Sequence, residues 1–468
     1  MPAKTELPYG AALTISILGV AWGIFSPNLG LTAAVFICLA AMLLMTWRPG
    51  ELPVLFLCLT SQWMEVSTPV FHANALGRVI EEMSEVETYR YAIQMGLAGL
   101  FAVSVGMRLA LRGFNIVPEW KFRRETARMN IDTVFWYYIG LYLFSIFCQG
   151  LMWENPGLTQ GLMAFFNLRW VFYILLAYIT LFQRKKRYFI AFAFLMEMAV
   201  GMVSYFAEFR QPMVLLGMVY LSLGRRITFK RFIGMILIGT GMIMFGALWT
   251  CVKTEYRDYI NEGTGAQAAT IPVAERYSKV IELYRNIDTD KFGQGIEALA
   301  ERISYVEFFA MVLHNVPREI PHENGLLVFS AVQHVLTPRV LNPNKPIVDQ
   351  TGLTTKYTGI EFMENTSVNL GYMAEYYIDF GLIGLFVMTL LTGFVVGSIY
   401  RYFIGQKRVG LFNYILASVV ILPFNNFGVN LVILFGTITM AFLIMSILLK
   451  VLVPFIERVL TSKERVIG

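Results

Sequence analysis

The chain has 468 residues, of which 56% are hydrophobic and 15% charged, with a formal net charge of +6. A soluble domain carries about a quarter charged residues, and here the deficit is concentrated. No Lys, Arg, Asp or Glu falls between Glu6 and Arg48, or between Arg408 and Lys450, two gaps of 41 residues each. A helix needs about 20 apolar residues to cross the hydrocarbon core, so this pattern excludes a soluble enzyme, a disordered chain and a single-anchor protein. It leaves an all-α, polytopic membrane helix bundle.

In chain order, twelve spans are expected, at 9–25, 30–47, 51–67, 90–110, 132–152, 168–183, 188–207, 209–224, 232–252, 381–401, 410–424 and 429–450. Ser26-Pro27-Asn28 splits the first long gap, and the turn-forming run Pro423-Phe424-Asn425-Asn426-Phe427-Gly428 splits the last. The first run lacks a cleavable signal pattern and leads straight into a second, so it reads as a retained span. With the N-terminus inside, 23 of the 38 Lys and Arg residues fall in cytoplasmic segments. Only Arg78, Arg90, Arg169 and Arg210 fall in short outer ones, and both termini are therefore expected in the cytoplasm. The organisation that follows is spans one to nine over 1–252, a large outer loop over 253–380, spans ten to twelve over 381–450, and a cytoplasmic tail over 451–468.

Within the loop, 302–316 and 325–336 are apolar but too short to span. They read as helices on the outer leaflet or packed against the bundle. Cys38, Cys58, Cys148 and Cys251 sit in or at the end of apolar runs, which does not suggest a disulfide framework. There is no CxxC or HExxH, so no structural zinc or zincin chemistry is expected, and the four histidines do not suggest a metal site.

Cations gather at the outer helix ends. Arg169 opens span six, Arg210 opens span eight, and Lys253 and Arg257 close span nine, where they share a face if the helix continues. Guanidinium groups meet phosphate oxygens bidentately, and Lys adds a compact charge, so the group suits a lipid-linked diphosphate. The alternative is interfacial snorkelling, or pairing with Glu208 and Glu255. Arg339 and Lys345 stand in the stiff stretch Thr337-Pro338-Arg339-Val340-Leu341-Asn342-Pro343-Asn344-Lys345-Pro346, and stiff placement suits binding. Arg302 is a further loop cation. Glu197, near the middle of span seven, is protonated, paired or facing a wet cavity. Glu375 and Asp379 lie four apart at an outer helix end. They are candidates for a general base if burial raises their proton affinity, or for complements to the helix dipole.

Three stretches resemble the Wzy-type polysaccharide polymerases, which belong with the O-antigen ligases in the GT-C class. Val252-Lys253-Thr254-Glu255-Tyr256-Arg257 is similar to their "VKxEYR" opening of the large loop, and the Pro338–Pro346 stretch to their "PRxxxPxKP". Ala374-Glu375-Tyr376-Tyr377-Ile378-Asp379-Phe380-Gly381-Leu382-Ile383-Gly384 is similar to their "ExYxxFGxxG". The resemblance implies a GT-C-like bundle in the bacterial inner membrane with its large loop in the periplasm. It implies transfer of a growing saccharide chain from undecaprenyl diphosphate to the acceptor sugar of a new undecaprenyl-diphosphate-linked unit, without metal or cofactor. On that reading Arg210, Lys253, Arg257 and Arg339 hold the diphosphate with Lys345 in support. Glu375 is the first candidate base and His334 the second.

The implied partners are the lipid-linked oligosaccharide, membrane lipid, a chain-length regulator and a repeat-unit flippase, with no nucleic acid. The nearest alternative is a ligase-type transferase using another acceptor. The alternative of a different class is a transporter of polysaccharide or lipid-linked sugar, against which stand the few intramembrane charges and the absence of repeated halves.

Overall fold

Every regular element is helical among the residues that a computed structural model of the chain describes, namely 8–114, 119–154, 159–204, 209–223, 229–263, 271–337, 342, 348–362, 368–406 and 410–451. A backbone in hydrocarbon must satisfy its own N–H and C=O groups, which helices do. Helices α1 (Tyr9–Ile24) and α2 (Leu29–Thr46) form a hairpin around Asn28. That side chain accepts the Ile80 N–H and donates to Asn74 and to the Arg78 carbonyl, which pins the hairpin to the end of α3 (Val54–Ala75). Next come α4 (Tyr89–Ala110), α5 (Glu119–Arg128), α6 (Ile131–Glu154), α7 (Thr159–Gln183), α8 (Arg187–Val203), α9 (Arg210–Ser222) and α10 (Phe229–Ile260). The long connection holds α11 (Val273–Arg285), α12 (Thr289–Ile303), α13 (Val306–Asn315), α14 (Leu326–Leu336) and α15 (Gln350–Thr358). The chain returns through α16 (Tyr372–Ile404), α17 (Leu411–Ile421) and α18 (Leu431–Val451).

Each of the twelve segments expected to span contains a described helix. Six of the described helices, α2, α4, α6, α7, α16 and α18, are long and apolar enough to cross a membrane. The chain is thus a multi-pass helical bundle with six such helices described rather than twelve. The physical reason is mainly length: α1, α8, α9 and α17 have 16, 17, 13 and 11 residues. Helix α3 is long enough but carries Gln62, Glu65 and His72. Helix α10 contains the charge-free run 232–252 and continues to Ile260.

The core is built around two features. Every residue of α17 is buried, and the helix runs between α3, α7, α16 and α18; a helix apolar all round belongs inside. Helices α4 and α16 meet backbone to backbone. A Cβ on Gly106 would lie 2.1 Å from the Leu390 carbonyl oxygen, and one on Gly393 would lie 2.0 Å from that of Val103. Small residues permit this approach where apolar surroundings supply little hydrophobic drive.

At the end of α16 and α17 that carries Tyr400 and Tyr414, a charge is buried with full compensation. Arg48 donates to both oxygens of Glu51, at 2.8 and 3.1 Å. The Tyr400 and Tyr414 hydroxyls donate to the same carboxylate at 2.9 and 3.3 Å, and Arg48 also reaches the Phe114 carbonyl.

Candidate functional site

The opposite end of the bundle is built from interrupted helices. Beyond α17, a 3-10 turn over Leu422–Asn425 leads into the link before α18. Glu65 of α3 reaches this link, and its Oε2 accepts the N–H groups of Phe427 and Gly428 at 2.9 and 3.4 Å. Gln62, one turn earlier, donates to the Phe424 carbonyl and accepts the Tyr372 hydroxyl, which ties α3 to α16. The charge of Glu65 acts on groups brought in by other elements, among them Arg210 at the start of α9 and Tyr305 at the start of α13.

Cations converge beside this carboxylate. Helix α10 continues to Ile260, so Lys253 and Arg257 do share a helix and stand one turn apart. Tyr256 between them is buried and donates to the Val203 carbonyl at 2.8 Å, which anchors this end of α10 on α8. Helix α12 packs along α10 and also touches α3, and near its end stands Arg302. Arg302 feels both Arg257 and Arg210. Lys253 is half-buried; loss of water first, then repulsion from Arg302 and Arg257, pushes it down to about 8 from 10.5. Among the described residues, four cations from three helices therefore act on one another in a chain, and one of them, Arg210, acts on Glu65. Like charges repel, so their mutual repulsion favours an anion here.

On the flank of Arg210 opens a cavity of about 180 Å³. Its walls bring together Trp170 and Asn167 of α7, Gln211 of α9, and Pro423 and Asn425 of the 3-10 turn. The amides offer both donors and acceptors to whatever enters.

Arg169 does not join the cation group. Its Nε lies 3.9 Å from Glu197 Oε1, its Nη1 reaches the Ser145 hydroxyl at 3.5 Å, and its guanidinium lies over the Trp170 ring at 4.6 Å. Tyr138 donates to the same Glu197 oxygen at 2.9 Å. Glu197 is thus the paired member of the alternatives that the sequence left open. Among the loop charges, Lys279 bridges to Glu282 at 2.9 Å and Arg318 to Glu87 at 3.9 Å.

The two candidate bases stand on α16 and α14. Glu375 is buried in α16, its Oε2 accepts the Leu431 N–H at the start of α18 at 2.8 Å, and the charged neighbour acting on it is Asp379. Asp379 in turn caps α14 through the N–H groups of Leu327 and Val328. His334 lies half-buried on α14. Arg339 and Lys345 fall outside the described residues. Sequence reasoning missed Glu65, although the signal was present: a lone carboxylate within an otherwise apolar helix is a functional candidate by the same rule that singled out Glu197. Among the described residues no group of three His, Cys, Asp or Glu side chains could hold a metal ion.

A family model described as a domain of unknown function (DUF8712) matches residues 104–461, and the chain belongs to this family. Comparison with curated proteins finds no match, and comparison with solved structures finds none.

Proposed function

We propose that this chain is a membrane glycosyltransferase that polymerises lipid-linked saccharide units, working at the periplasmic face of the bacterial inner membrane. The observation that carries the reading is the convergence of Arg210, Lys253, Arg257 and Arg302 beside Glu65. A diphosphate leaving group needs its developing charge stabilised, and preorganised cations supply that stabilisation. The resemblance of 252–257 and 374–384 to the Wzy-type polymerases supplies the substrate class, undecaprenyl-diphosphate-linked oligosaccharide.

In this reading the bundle sits in the membrane with both termini cytoplasmic, and 253–380 faces the periplasm. An acceptor hydroxyl attacks the anomeric carbon of the growing chain, and the bond from that carbon to the diphosphate oxygen breaks. The diphosphate leaves with the electron pair onto the cations. Arg339 and Lys345 add to that group. The hydroxyl proton passes to a carboxylate, and Glu65 takes this role ahead of Glu375 and His334 because Arg210 of the cation cluster acts on it.

The test uses purified protein in nanodiscs with the lipid-linked repeat unit of its own source as sole substrate. Wild type is expected to yield a ladder of products, which Arg257→Ala and Arg210→Ala abolish while the proteins keep wild-type melting behaviour. A folded wild type that builds no ladder, or alanine variants that build a normal one, overturns the reading.

A further inference from the structure

Helix α14 has the sequence Leu-Leu-Val-Phe-Ser-Ala-Val-Gln-His-Val-Leu, with no charged residue. One side carries the buried Ala331, and the helix packs on α16 and α18. The other side presents Leu326, Phe329, Val332 and Leu336, with Phe329 at 65% and Leu336 at 75% exposed. Their helical spacing makes one continuous apolar stripe. At 11 residues the helix is about 16 Å long, about half the hydrocarbon core, so it does not cross.

Two observations say what covers the stripe. First, it continues onto a membrane-crossing helix. Gly325, just before α14, stands where a Cβ would meet the Phe380 ring at 3.1 Å. Phe380 and its neighbour one turn on, Ile383 (82% exposed), lie on α16 on either side of its break at Gly381 (φ 65°, ψ −164°). Second, the backbone here is sealed against the absence of water. The first N–H groups of a helix have no partner within it and are commonly left to solvent. In α14 those of Leu326, Leu327 and Val328 are met internally. Leu326 donates to the carbonyl of Glu323 at 3.2 Å. Leu327 and Val328 donate to the two oxygens of Asp379 at 3.0 and 2.8 Å. At the neighbouring break, the Ile378 carbonyl accepts the Glu323 N–H at 3.0 Å and lies 3.1 Å from His322 Nδ1. Such closure is what a low-dielectric boundary demands of broken backbone.

We propose that α14 is an interfacial membrane helix, its Leu326–Phe329–Leu336 face seated among the acyl chains of the leaflet on the cation side and its N-terminus fastened by Asp379 to the break in α16. Ser330 and Gln333 share the exposed side and set the helix at headgroup level rather than in the core. The occupant is lipid because the apolar residues of this side adjoin, at Gly325 and Phe380, the exposed face of α16 and carry no charge with which a protein partner would be chosen.

The test places single cysteines at Phe329 and Leu336 in the full chain, with Cys251→Ser as background; Cys38, Cys58 and Cys148 are buried. Each is labelled with an environment-sensitive fluorophore and reconstituted in phosphatidylethanolamine–phosphatidylglycerol nanodiscs. Ile383→Cys is the lipid reference and Glu87→Cys, in the exposed link before α4, the water reference. A lipid carrying a nitroxide high on its acyl chain is expected to quench both α14 probes at least half as strongly as the Ile383 probe, and aqueous iodide to quench them weakly. Quenching like that of Glu87 overturns the proposal by leaving the stripe in water. Protection from both quenchers overturns it by assigning the stripe to a protein surface. Two positions keep the test valid if one variant misfolds, which melting of each labelled protein reveals.

Discussion

The two ends of this bundle handle charge in opposite ways. Around Arg48, one guanidinium meets one carboxylate, and Tyr400, Tyr414 and the Phe114 carbonyl complete the hydrogen bonding. Around Lys253, repulsion runs in a chain from Lys253 and Arg257 through Arg302 to Arg210, and Arg210 acts on Glu65. A balanced buried cluster holds elements in register; like charges that repel one another disfavour the empty fold and favour an anion. The first end is read as structure and the second as site.

That contrast breaks most visibly at Glu51. Glu51→Ala leaves Arg48 buried without its counter-charge, which costs about 3–5 kcal/mol. The expected outcome is a large fall in melting temperature in detergent, with diphosphate affinity per folded molecule unchanged. A variant that melts like wild type would remove the structural half of the comparison. Arg302→Gln is expected to do the reverse at the other end. It loses about tenfold in diphosphate affinity, the worth of one charge-assisted hydrogen bond, while melting slightly higher as repulsion on Lys253 eases. Calorimetric titration with inorganic diphosphate beside a melting curve reads both.

The smallest effect is a pH dependence. Lys253 titrates at about 8 in the fold against 10.5 ordinarily. Below that window both states hold the proton and pH has no effect through this group. Within it the unfolded chain binds more protons than the folded one, so stability rises with pH. Diphosphate binding weakens over the same window as the charge leaves. Lys253→Arg, charged throughout, is expected to flatten both trends. Binding that stays level across the window in wild type would place Lys253 outside the site.

The apolar segments were legible because membrane helices announce themselves by missing charge, and each contains a described helix, six of them long and apolar enough to cross. The two apolar loop helices were legible too, as Val306–Asn315 and Leu326–Leu336. The amphipathic ones were not: α5, α11 and α12 are mixed in composition, and nothing short of their packing partners separates them from solvated loop. The cluster was half legible. Lys253 and Arg257 follow from spacing along one helix, and Arg210 from its place at a helix start. Which carboxylate faces them depends on how α3 meets the link after α17, a contact across more than 360 residues of chain that no local pattern encodes. The same holds for Arg169, whose pairing with Glu197 joins two helices.

Helix α17 carries a consequence for how the protein is made. Its eleven buried residues touch protein on every side. At about 16 Å it falls well short of the hydrocarbon thickness. Lipid therefore offers it no resting place of its own, and its position exists only once α3, α7, α16 and α18 enclose it. Three of those are synthesised before it and one after. The seat of α17 is therefore complete only when α18, the last of the four to be made, has joined the others.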